Sequence, residues 1–94
     1  MSVAVVATLR AKDAYVSELA ALTAKLHDMT HKVDEGFLRY DLYSQSSDKN
    51  AFIFLESWES QEALEKHLNA LHVKEFQAKI EHMIEDSEIK ITDI

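Results

Sequence analysis

Three side chains able to do chemistry fall close together in this sequence: Glu56, Trp58 and His67. They belong to the run Phe52-Ile53-Phe54-Leu55-Glu56-Ser57-Trp58-Glu59-Ser60-Gln61-Glu62-Ala63-Leu64-Glu65-Lys66-His67-Leu68. The run begins as a strand with apolar residues on both faces and turns at Ser60 into an amphipathic helix. His67 falls on the apolar side of that helix. A carboxylate, an indole and an imidazole are thereby drawn toward one hydrophobic space. Core building does not require that combination, whereas a site for a flat organic molecule has a use for each part.

An imidazole titrates near neutral pH, so His67 could take the proton of a phenol. The deprotonated ring is electron-rich enough to pass an electron to molecular oxygen, with neither metal nor flavin. The plainer reading of His67 is a buried histidine satisfied by a backbone carbonyl or by Glu56. Trp58 could be a flat wall for an aromatic substrate, or the large residue that closes the core at the end of its strand. Glu56 shares its side of the strand with Phe52, Phe54 and Trp58, where a carboxylate is costly without a partner. The expected partner is His67 or a backbone group, and a bond to His67 would orient the imidazole. Phe54, Tyr40 and Phe76 are candidates to line the pocket, and each also serves as simple packing. His72 lies five residues after His67, and on one straight helix the two would point roughly 140° apart. Only a kink would bring both to one cavity, so His72 is expected at the rim. His27 and His31 stand at a possible zinc spacing. They lie off the apolar stripe without a third ligand, so no metal site is expected.

The surrounding elements can be read from period and punctuation. Val3 to Leu9 is nearly continuous in apolar character, as in a strand buried on both faces. Tyr15, Leu19, Leu22, Leu26, Met29 and Val33 mark one face of a long helix, with Asp13 as its expected cap. Asp34-Glu35-Gly36 ends it, Gly36 being free to turn left-handed. Phe37 to Gln45 reads as a strand, Ser46 to Asn50 as a turn and Ala51 to Trp58 as an antiparallel strand. Ser60 caps the second helix, with a kink expected between Asn69 and His72 and helical pattern continuing to Ile84. Ile89, Ile91 and Ile94 form a last strand. The order β-α-β-β-α-β is that of an α+β, ferredoxin-like domain with an antiparallel sheet. Both helices then cover one sheet face, and the other face, also rich in apolar residues, has no cover within the chain. A second copy packed sheet to sheet, giving a homodimer, would bury it.

The 94 residues suit one domain, 1–94, and the 47% apolar content suffices for a core. Ten basic against 17 acidic residues give a net charge of −7, which opposes nucleic acid and anionic membrane. With no cysteine, disulfides and thiolate chemistry are excluded. No segment resembles a signal peptide or a transmembrane span, so a cytoplasmic protein is expected. A single glycine, Gly36, rules out a glycine-rich nucleotide loop.

Three stretches together resemble the antibiotic biosynthesis monooxygenase (ABM) domain: Glu35 to Leu42, Phe54 to Ser60, and Ala63 to Leu68 with His72. The strongest element is Glu-x-Trp-x-Ser-x-x-Ala-Leu-x-x-His-Leu-x-x-x-His, from Glu56 to His72. Within that family the pattern is most similar to the small bacterial quinol monooxygenases. The resemblance implies a dimeric α+β barrel and cofactor-free oxidation of quinols or polyketide-like phenols by oxygen. His67, Trp58 and Glu56 would be catalytic, and Tyr40, Phe54, His72 and Phe76 would bind substrate. The family also holds haem-degrading enzymes and an isomerase of a phosphorylated signal. This chain departs from the common pattern at Glu35 and Leu71, where many members carry proline. Ala7 stands where haem-degrading members carry asparagine, which argues against haem degradation.

The leading expectation is therefore a cofactor-independent monooxygenase acting on a small aromatic substrate. The alternatives are an isomerase of the same fold, or a non-catalytic ligand- or haem-binding protein.

Overall fold

A computed structural model describes residues 2–94. Strand β1 (Val3–Ala11) leads through a 3-10 turn, Asp13–Tyr15, into helix α1 (Val16–Val33). Strands β2 (Phe37–Gln45) and β3 (Asp48–Trp58) form a hairpin, followed by helices α2 (Gln61–Asn69) and α3 (Leu71–Ile80) and strand β4 (Ile84–Asp93). The four strands form one antiparallel sheet in the order β2-β3-β1-β4, which is the ferredoxin-like arrangement.

Strand register explains which residues reach the helices. Val3, Val5, Ala7 and Leu9 pair directly with Trp58, Glu56, Phe54 and Phe52. Directly opposed residues share a face, so these eight point together toward α1, α2 and α3. Tyr40 joins them from β2, opposite Glu56, and Ile89 and Ile91 from β4. Val3, Tyr40, Phe54, Trp58, Leu64 and Val73 are core residues of this layer. The other sheet face is open within the chain: Val6 is 40% and Tyr43 45% exposed. The apolar run of β1 is therefore buried on one face only, not on both as its composition suggests.

Several boundaries differ from the sequence reading, each for a local reason. Asp13 does not cap α1; its carboxylate accepts from Asn50 Nδ2 at 2.8 Å instead, tying the start of the helix to β3. The hairpin turn shrinks to Ser46-Ser47, because Asp48 pairs with Gln45 and its carboxylate binds Arg10 across the sheet. Ile84 belongs to β4, where it pairs with Ala11 past a register shift, and is not helical. Among the described residues no helix is long and apolar enough to cross a membrane.

Two features aim the site. Ala70 adopts φ −66° and ψ 146°, so the second helical segment breaks there into α2 and α3. Gly36 takes φ 88°, and its carbonyl accepts the Glu59 amide at 2.8 Å. A side chain at Gly36 would meet the Ala63 Cβ at 2.8 Å, so the turn after α1 packs backbone-close on α2.

Candidate functional site

The site grows from the end of α1. The Asp34 amide still donates to the Thr30 carbonyl at 3.0 Å, completing the last helical turn. Asp34 itself is extended (φ −84°, ψ 150°), which swings its side chain off the helix axis toward α2 and α3. There the carboxylate meets two imidazoles. His67 Nδ1 donates to Asp34 Oδ2, and His72 Nε2 lies 3.4 Å from Asp34 Oδ1. His72 Nε2 is also 3.3 Å from the Thr30 hydroxyl. The break at Ala70 is what permits this: on a continuous helix the two rings would diverge. Their centroids are instead 6.0 Å apart.

His67 is 4% exposed and leans on the Trp58 indole, the ring centroids 4.6 Å apart at 33°. Tyr40 packs edge-on against it at 5.2 Å. Burial lowers the pKa of His67, and the Asp34 carboxylate partly restores it. The net effect favours the neutral imidazole. Asp34 can only accept, so the proton sits on Nδ1 and Nε2 keeps its lone pair.

Glu56 has a different partner from the one expected. Trp58 Nε1 donates to Glu56 Oε1 at 2.9 Å, while His67 turns to Asp34. Alternation along β3 places residues 56 and 58 on one face, so the indole N–H reaches the carboxylate two residues away. Burial raises the pKa of Glu56 to about 7, and the indole bond opposes the shift. Burial likewise drives the Tyr40 phenol well above its usual range, with Glu56 adding to it.

A cavity of about 590 Å³ lies between the sheet and the pair α2–α3. Phe54, Glu56, His67 and Phe76 line it, with Val5, Ala7, Leu64, Val73, Ile89 and Ile91 completing an apolar wall. Its charged lining residues are Glu56, Glu81, Glu85 and Asp86, with neither lysine nor arginine among the described residues. Trp58 and Tyr40 are 0% and 1% exposed and stand behind this wall as the packing that fixes His67 and Glu56. His72 faces a separate groove of about 330 Å³ between α1 and α3. A third, polar cavity of about 410 Å³ touches Asp34 and His67 from the side of Glu35, Glu59 and Glu62.

Sequence reasoning missed Asp34. Its only local signal, an acidic residue just before the glycine that ends a helix, is equally that of an ordinary helix terminus. His31 also proved engaged rather than merely solvated, since its Nε2 donates to the Tyr40 carbonyl at 2.6 Å.

The chain is thus a split ferredoxin-like α+β domain with a buried imidazole at the wall of an apolar cavity. It belongs to the antibiotic biosynthesis monooxygenase family, whose model matches residues 2–79. A stretch of 48 residues is 33% identical to the Bacillus subtilis (strain 168) protein named "Putative monooxygenase YcnE". That match spans 51% of this chain and 50% of the relative, so about half the length of the curated relative is covered. Among solved structures, a conserved protein of Methanosarcina mazei is 27% identical with a TM-score of 0.88, over 98% of this chain and 91% of that one. A Pseudomonas aeruginosa protein is 25% identical with a TM-score of 0.91, over 99% and 93%. A Mycobacterium tuberculosis protein shares the fold at a TM-score of 0.91 with 22% identity, over 100% and 95%.

Proposed function

We propose that this protein is a cofactor-independent monooxygenase that oxidises a small, uncharged aromatic such as a quinol with molecular oxygen. The observation that carries the reading is His67, kept neutral by burial and tautomerically fixed by Asp34, at the wall of an apolar cavity. Family membership supports the reaction class. The lining favours a neutral ring over a phosphate or carboxylate, because its charged groups are carboxylates. The same lining disfavours an isomerase of a phosphorylated compound.

In this mechanism His67 Nε2 takes the phenol proton and Asp34 stabilises the imidazolium. The phenolate passes one electron to oxygen, and the substrate radical and superoxide combine into a ring hydroperoxide. Loss of water from the hydroperoxide, using the hydrogen on the attacked carbon, leaves a carbonyl. One oxygen atom enters the product, the other leaves as water, and the substrate supplies all four electrons. Glu56, poised near neutrality, is the second proton-transfer group at the cavity wall.

The functional unit in this reading is a homodimer joined through the open sheet face, where Val6, Ile53, Leu55 and Tyr43 gather.

Oxygen uptake with a panel of reduced quinols and dihydroxy-aromatics tests the reaction, with His67→Ala in parallel. Protein-dependent uptake lost in the variant is expected. Uptake equal to that of the buffer, or equal in both proteins, would remove His67 as the base.

A further inference from the structure

The meeting of Asp34, His67 and His72 has a second chemical capacity. One carboxylate and two imidazoles converge from three elements: the end of α1, α2 and the start of α3. A ligand atom from each lies within 4.8 Å of the other two. Their side chains are 9%, 4% and 14% exposed, so the donors are sheltered from competing water. Zinc-class ions bind nitrogen and oxygen at about 2.0–2.2 Å, which sets neighbouring ligands of a tetrahedral site about 3.4 Å apart. The His72 Nε2 to Asp34 Oδ1 separation is 3.4 Å. The His67–Asp34 pair is drawn closer, as a hydrogen bond requires, and must open slightly for an ion.

We propose that Asp34, His67 and His72 form a binding site for a divalent cation of the zinc class, with its fourth position open to the polar cavity beside Glu59 and Glu62. Imidazole and carboxylate together suit borderline ions such as Zn²⁺ and Co²⁺ better than Mg²⁺ or Ca²⁺, which prefer all-oxygen shells. The acidic residues around that cavity, Glu35, Glu59 and Glu62, outnumber its one lysine, Lys66, and favour entry of a cation.

Binding would have a defined consequence for the proposed base, a consequence that rests on the monooxygenase reading. A metal on Nδ1 displaces the proton that His67 shares with Asp34. The neutral ring then carries its proton on Nε2, the nitrogen that faces substrate in the proposed mechanism. The ion and the proton-accepting state therefore exclude one another, and zinc-class ions act as inhibitors of the oxidation.

Binding is measured first, without substrate, so its outcome does not depend on any activity. Chelator-washed protein is titrated with Zn²⁺ by calorimetry and with Co²⁺ by visible absorption. The expected result is one ion per protomer and an intense four-coordinate Co²⁺ spectrum. His72→Ala should weaken binding by more than the roughly 10- to 100-fold that loss of an outer partner costs. Circular dichroism confirms that this variant is folded. The double variant His27→Ala/His31→Ala removes the other histidine pair, on α1, and should leave binding intact. No binding by the wild-type protein, binding that survives in His72→Ala, or binding lost with the α1 pair would each overturn the site. If the ion binds as expected but oxygen uptake is absent without it, the site stands and the monooxygenase reading falls.

Discussion

His67 Nδ1 donates to the carboxylate of Asp34, a residue 33 positions earlier in the chain, and this bond joins the end of one helix to the buried face of another. The bond places the proton on Nδ1, and burial, acting against the pull of Asp34, favours the neutral ring with Nε2 unprotonated, the state a general base must occupy. Asp34 is a positioning residue for His67, and His67 is the group that would touch substrate.

Replacing Asp34 with Asn should keep the shape and lose the charge. Turnover in the oxygen-uptake assay is expected to fall by about 100-fold or more, within the range for a mis-set general base. Because the Asp34 carboxylate raises the His67 pKa, its loss should also move the acidic limb of the rate profile to lower pH. A rate loss with an unmoved limb would argue for a purely structural role.

Burial of Glu56 predicts an opposite pH dependence in stability. Its pKa rises on folding from 4.5 to about 7, so its contribution is fully present below the unfolded value and is lost as pH climbs through the folded one. Glu56→Gln keeps an acceptor for the Trp58 indole and abolishes that titration. Urea unfolding of the two proteins at pH 5 and pH 8 should show the variant gaining relative stability at the higher pH, by at most about 3 kcal/mol. Parallel pH dependences in the two proteins would show that Glu56 does not titrate differently on folding.

Gly36 is the tightest point of the scaffold. Gly36→Ala combines an unfavourable φ of 88° with a Cβ–Cβ approach of 2.8 Å to Ala63. The expected loss is about 1–3 kcal/mol, measured by chemical denaturation. A larger side effect is displacement of Asp34, visible as reduced oxygen uptake in protein that remains folded.

The open sheet face offers a test of assembly. Leu55 and Val6 are direct neighbours across β1 and β3 on that face. In light scattering after gel filtration the unaltered protein is expected at the mass of the proposed homodimer and Leu55→Lys at that of a monomer, because two like charges would oppose each other across the shared interface. A monomeric mass for the unaltered protein would refute the dimer, and a dimeric mass for both would exclude this face as its interface.

Most of the secondary structure was legible from pattern alone. Apolar spacing in α1, alternation in β3 and the Ser60 cap of α2 are local signals, and each appears where read; the Ser60 hydroxyl accepts the Ala63 amide at 3.1 Å. The Glu56-x-Trp58…His67…His72 spacing likewise pointed to the family. Boundaries slipped where long-range partners intervened, as at Asp48 with Arg10 and Ile84 with Ala11.

What the sequence by itself determined is the set of amphipathic elements and the face on which each chemical group lies, because both follow from the fixed periods of strand and helix. Only the tertiary structure decided the pairings. Asp34 and His67 meet because α1 ends beside α2, and His72 joins them because the chain breaks at Ala70 without the proline that usually announces such a bend. Glu56 turned to its neighbour Trp58 once that carboxylate had claimed His67. Contacts between groups remote in sequence depend on how whole elements pack, and no local period encodes that.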